Sequence, residues 1–424
     1  MINYKRLISA LIILTFTGLT IAQTSTNSPY TRYGFGSLAD QGFGNSKAMG
    51  GIAYGLRNGY QINASNPASY TAVDSLTFLF DAGMTLLNAN FKEGNIKTNA
   101  KNSSFDYLAM QFRLWKRMGM AVGFLPFSTV GYSLSNTSEL TKDEDGTVIN
   151  KTASYAGDGG LQQVFAGVGF KVLDNLSIGA NISYIYGDIT HSVTTAFSNS
   201  SSFSSVRLDK ISINDYKLDF GLQYSYKFNK KHVLNFGAVY SLGHSVNGKG
   251  YKYNQKWLNG ADYPSTQTGD TITNAFSLPH TFGAGLTYVY DNRLTIGADF
   301  TYQQWEDAKF YNEKSYFSNR TKIAAGAEFV PNPYSRNYLK RVRYRVGGYY
   351  SDPYTKVDGQ DGTREYGVSA GFGFPLFQSK SILNISGQYV RVSPKVKGML
   401  EENYLKINIG LTFNERWFMK WKVD

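Results

Sequence analysis

The chain reads as an all-β, fourteen-stranded antiparallel transmembrane barrel with an N-terminal plug inside its lumen. Three observations predict it: about fourteen segments of alternating hydrophobicity, alternately short and long connections between them, and a secretory start without a single cysteine. The last ordinary strand, Tyr404 to Phe413, shows the pattern. Leu405, Ile407, Ile409, Leu411 and Phe413 share one face, and Lys406, Asn408, Gly410 and Thr412 the other, because side chains alternate along a strand. In lipid, only a closed sheet satisfies the backbone hydrogen bonds of such strands.

Lys5 and Arg6 precede the apolar run Leu7 to Ile21, with small residues ahead of Gln23. This describes a signal peptide over residues 1–22. Its removal lowers the net charge from +12 to +10. The absence of cysteine excludes disulfides, thiolate metal sites and cysteine nucleophiles. The 32 Tyr, 28 Phe and 43 Gly suit interfacial aromatic girdles and strand bends. Basic residues are scattered singly along strand faces, which argues for a basic lumen or anionic lipid headgroups and against nucleic acid.

Residues 23–73 form the expected plug: Gly34, Gly36, Gly42, Gly44, Gly50, Gly51, Gly55 and Gly59 make it too glycine-rich for a stable helix. A barrel of fourteen strands leaves a hole unless something fills it. The barrel follows over 74–413, with strands near 75–91, 104–115, 118–134, 153–172, 176–188, 211–228, 232–244, 278–290, 294–304, 319–330, 340–351, 365–375, 381–392 and 403–413. Tetrads such as Leu114–Arg117, Leu173–Leu176, Phe228–Lys231 and Tyr290–Arg293 are the short, periplasmic turns, and 329–339 is a longer member of that set. Long extracellular loops are expected near 92–103, 135–152, 188–210, 244–277, 304–318, 352–364 and 392–403. Residues 414–424 form an aromatic-basic periplasmic tail with Trp417, Phe418 and Trp421.

The stretch Gly44 to Ala53, followed by Asn66-Pro67-Ala68, resembles the plug of the FadL-type outer-membrane transporters of hydrophobic compounds. Leu278 to Leu286, Trp305, and Arg343 to Pro353 resemble later elements of that family, in order. The resemblance implies passive, cofactor-free uptake of a hydrophobic ligand such as a fatty acid: capture by extracellular loops, then lateral release into the outer-membrane lipid at a kink in the third strand. This chain offers a cause there. Pro126, just after Gly123 in Met120 to Thr129, lacks the N–H a sheet ladder needs. Asn66 is expected to meet Pro126 and supply the missing hydrogen bonds. Tyr251, Tyr253, Trp257 and Tyr263, with Lys252, are expected to form the capture surface, together with the loop at 188–210.

Two other classes are weighed. An enzyme would need a histidine near a nucleophile, yet His191, His232, His244 and His280 are dispersed, and adjacent strand residues point to opposite faces. No two histidines have metal-ligand spacing. A FadL-like structural or adaptor subunit of an outer-membrane assembly or secretion complex, with protein partners, is the alternative to transport. The lining of the lumen discriminates: an apolar path from loops to Pro126 favours hydrophobic ligands, a polar one a porin or a plugged scaffold.

Overall fold

The computed structural model describes residues 26–142, 146–199, 202–258, 266–357, 359–376, 380–395 and 399–416. The predicted signal peptide, Tyr263, and the tail residues Trp417, Phe418 and Trp421 fall outside them. Fourteen antiparallel strands form the wall: β1 (Thr77–Glu93), β2 (Ile96–Trp115), β3 (Met118–Lys142), β4 (Val148–Lys171), β5 (Leu176–Phe197), β6 (Phe203–Lys227), β7 (His232–Ser241), β8 (Thr281–Tyr290), β9 (Leu294–Gln303), β10 (Arg320–Phe329), β11 (Arg343–Ser351), β12 (Thr363–Pro375), β13 (Ile382–Pro394) and β14 (Glu401–Arg416). Each pairs with the next, and β14 pairs with β1 from Lys92↔Glu401 to Thr77↔Arg416, so the sheet closes. The last strand therefore runs through Asn414, Glu415 and Arg416, residues the sequence assigned to a tail.

The alternation sorts as hydropathy dictates. Ile182, Phe220, Leu286, Ile296, Val368 and Leu405 stand exposed on the outer wall, where lipid covers them. On the opposite face of the same wall, Asn181, Gln223, Thr287 and Asp299 are buried. This is an outer-membrane, multi-pass β-barrel.

The long side differs from expectation. The described residues of the expected loops at 92–103, 135–152 and 188–210 are mostly strand: the ladders of β1–β2, β3–β4 and β5–β6 continue beyond the membrane. Within 244–277, a hairpin of Gly248–Leu258 and Thr266–Thr273 extends the same sheet, pairing with β6 from Gly248↔Ile213 to Leu258↔Phe203. Above the lipid both faces meet water, so the apolar alternation disappears. The Thr, Val and Tyr content still favours extended chain.

Residues 26–73 run across the interior. Ser28 caps a 3₁₀ turn at Pro29–Arg32, and a two-residue strand follows at Ser37–Leu38. A short helix occupies Gly44–Ala48, and Asn66 caps a second 3₁₀ turn at Pro67–Ala72. Pro at the first position of both 3₁₀ turns sacrifices an N–H that has no partner there. The segment lies tight on the wall. A Cβ at Gly237 of β7 would sit 1.9 Å from the Tyr54 carbonyl oxygen, so only glycine permits that approach.

Candidate functional site

Polar side chains of the inner wall hold this segment from several directions. On β9, the Asp299 carboxylate accepts hydrogen bonds from the backbone N–H of Ala53 (2.5 Å) and Tyr54 (2.8 Å). On β10 and β11, Glu328 pairs with Arg343 at 2.8 Å and with the fully buried Arg345 at 2.7 Å. Arg343 donates to the Tyr60 hydroxyl, and Gln61 donates to Asn384 on β13, which also accepts from Arg345. Lys47 meets Asp106 of β2 at 2.6 Å. Arg57 donates to Gln223 of β6. Such buried charges persist only when paired, and here each pair ties segment to wall or wall to wall.

The third strand does break away at Pro126. Pairing between β2 and β3 ends at Leu108↔Phe124, one position past the Gly123↔Ala109 pair. On its other side β3 stays paired with β4, with a bulge between Pro126 and Ser128. The edge that β3 releases is met by the chain's own N-terminal segment. Ser37 and Leu38 pair with Thr129 and Ser128, the Ala39 N–H donates to the Phe127 carbonyl (3.0 Å), and Gln41 Nε2 donates to the Pro126 carbonyl (3.1 Å).

Asn66 does not take this role. Its side chain accepts from the Ala68 N–H and donates to the carbonyls of Tyr54 and Leu222, so it caps its own turn and leans on β6. Pro67 and Ala68 pack with it, buried. An N-cap satisfies nearby N–H groups, and that local demand fixes Asn66 away from β3.

Between the segment and the wall lies a cavity of about 250 Å³, reaching from Leu38, Gln41 and Phe127 toward Trp305. Eight charged side chains line it: Asp40, Lys217, Asp219, Asp299, Arg320, Lys322, Glu365 and Lys406. Above it, an aromatic cluster packs across the mouth. Phe35 from the N-terminal segment stacks on Phe317 (5.8 Å) and meets Trp305 (6.1 Å), and Trp305 meets Tyr354 (4.8 Å). Phe276 and Phe310 complete it. Trp305, one of the residues that carry the family resemblance in sequence, is thus part of this lid and is buried.

The expected capture residues do not converge. Tyr251, Tyr253 and Trp257 alternate with Lys252, so the amine and the rings face opposite sides of the hairpin. Lys252 instead sits over the Tyr311 ring at 4.7 Å. The four histidines each meet a different tyrosine: His191 with Tyr132, His232 with Tyr288, His280 with Tyr240, and His244 stacked on Tyr216. Sequence reasoning missed Gln41, Glu328 and the Phe35 contact, since hydrogen bonds to backbone and packing between distant loops leave no periodic trace.

No curated protein matches this sequence. Among solved structures, the CymD monoaromatic hydrocarbon channel is similar with a TM-score of 0.59 at 14% identity, over 90% of this chain and 100% of that one. The toluene transporter TodX of Pseudomonas putida is similar with a TM-score of 0.59 at 16% identity, over the same shares. A FadL homologue of Pseudomonas aeruginosa gives 0.58 at 12% identity, over 89% of this chain and 99% of that one. At such identities the likeness is one of fold, and the fold is FadL-type. The sequence itself matches one family over residues 1–424, and the chain belongs to the BamG family.

Proposed function

We propose that this chain is a FadL-type barrel serving as a structural or adaptor subunit of an outer-membrane assembly, its lumen closed by residues 26–73 acting as a plug. The carrying observation is the lining of the cavity: beside apolar residues such as Leu38, Leu125 and Phe127 it holds eight charged side chains, beneath a packed aromatic mouth. A hydrocarbon or acyl chain entering there would strip water from those charges without replacing their hydrogen bonds, at a cost of several kcal/mol by order of magnitude. The full-length match is moreover to BamG rather than to a family named for transport. Extraction in mild detergent at native abundance tests the reading. A discrete complex well above the 47.2 kDa of the chain supports it, and a lone barrel overturns it.

A second reading keeps the break in the wall at its centre. The β2–β3 separation beyond Phe124 is where a hydrophobic ligand would leave sideways into the membrane, as the likeness to hydrocarbon channels suggests. Here the Ser37–Gln41 segment would act as the gate. Uptake of labelled toluene or long-chain fatty acid by liposomes holding the purified barrel, abolished by Pro126→Val, would establish it.

A further inference from the structure

Six of the basic residues that the sequence scatters come together on the short-turn, periplasmic side. Three consecutive turns, β6–β7, β8–β9 and β10–β11, are joined by backbone hydrogen bonds, Asp291 N–H to Lys231 C=O and Val330 N–H to Arg293 C=O, both 2.7 Å. They expose Lys227, Lys230, Lys231, Arg293, Arg336 and Lys340, against one acid, Asp291, which already pairs with Arg293 at 3.4 Å. Elsewhere on this rim, Lys171 is paired with Asp174 and Lys380 with Asp74, while Lys116 and Arg117 form a separate basic turn.

Out of the crescent rises the β10–β11 connection. Pro331 and Pro333 stiffen it, the Asn332 N–H donates to the Lys340 carbonyl, and Asn337 caps the 3₁₀ turn Tyr338–Lys340. At its tip Tyr334 is 90% exposed, with Leu339 64% exposed beside Arg336 and Lys340. A rigid aromatic anchor with flanking cations is the composition of a binding hot spot. We infer that this crescent docks the acidic surface of a periplasmic protein domain, with Tyr334 as its anchor. The inference rests on the assembly reading and names the face and chemistry of one partner. Charge complementarity argues for a protein over lipid. Headgroups surround the whole rim, whereas the crescent's group of cations and the protruding anchor share one sector.

The test places a photoreactive phenylalanine analogue at position 334 in otherwise intact outer membranes. We expect one discrete protein adduct, its yield falling roughly tenfold or more when Arg336→Glu and Lys340→Glu are added, since like charges across an interface cost several kcal/mol. Heat-modifiable migration verifies that each variant is a folded barrel. Should the double reversal fail to fold, Arg336→Ala with Lys340→Ala gives the smaller expected drop of about threefold. An adduct with lipid alone, or a protein adduct indifferent to the substitutions, overturns the docking face. If the extracted complex keeps its size with the crescent reversed, the docking face is wrong and the assembly reading stands. If the wild-type chain extracts alone, the assembly reading itself fails.

Discussion

Replacing Gln41 by Ala should loosen the N-terminal segment from the wall while leaving the barrel intact. Gln41 Nε2 donates to the carbonyls of Pro126 and Ala39, both at 3.1 Å, and its Oε1 accepts from Gln163 Nε2 of β4. Three hydrogen bonds disappear together, and the Pro126 carbonyl loses its partner on the side where β2 has already departed. At about 1 kcal/mol net for each bond the sum is about 3 kcal/mol. The adjoining cavity can admit water to the orphaned groups, which reduces the expectation to about 2 kcal/mol, or roughly thirtyfold in the local opening constant. Hydrogen exchange reads this directly: the Ala39 amide, bonded to Phe127, should lose about thirtyfold of its protection. The amides of Ala53 and Tyr54, held by Asp299, should not change. Unaltered protection at Ala39 in Gln41→Ala would show that the pairing of Ser37 and Leu38 suffices alone, and the role given to Gln41 would be wrong.

Three further outcomes are expected. Glu328→Gln leaves Arg343 and the fully buried Arg345 without their counter-charge, and should cost about 3–5 kcal/mol, seen as a lower temperature of heat-modified migration. Trp305→Ala removes a buried ring from the lid, a loss of about 3–5 kcal/mol in packing, and should raise single-barrel conductance in planar bilayers without unfolding the wall. His191 lies beyond the membrane, hydrogen-bonded to Tyr132, and burial pushes its imidazole down to about 4. Its folded value is below the unfolded one, so its contribution is present above about pH 6.5 and fades as pH falls toward 4. Hydrogen exchange around Tyr132 should quicken over that window, and less so in His191→Phe.

Much of the wall was legible because lipid imposes a strict period. Phe220, Leu222 and Tyr224, or Leu294, Ile296 and Ala298, alternate with polar residues so regularly that strand number and facing follow at once. The ladders above the membrane were not legible. Thr190 to Phe197 has no apolar face to reveal a strand, and its pairing with Lys151 to Asp158 on one side and Ser205 to Lys210 on the other makes it one. Pro126 announced a break through its missing N–H, but its partner could not be read. Asn66 stood out because Asn-Pro is a conspicuous pair, and that prominence reflects a cap, not a contact with β3. The hub residue Gln41 sits in a polar stretch with nothing to distinguish it.

The distribution of ties also constrains how anything could pass this barrel. The segment is bonded to β5 through Tyr70 and Asn181, to β6 through Arg57, to β9 through Asp299, to β11 through Tyr60, and to β12 through Gly50 and Ser369. These strands lie on different sides of the lumen, so the segment could leave as one body only by breaking all of the ties together. By contrast, Ser37–Leu38 contributes a two-residue ladder and a few side-chain bonds beside an interrupted strand. Opening free energies differ across a structure, and the lowest belong to such sparsely bonded stretches. A lateral path, if used, therefore runs through local release at residues 37–41, whereas a scaffold gains from the same arrangement by keeping a sealed wall whose periplasmic crescent stays fixed in place.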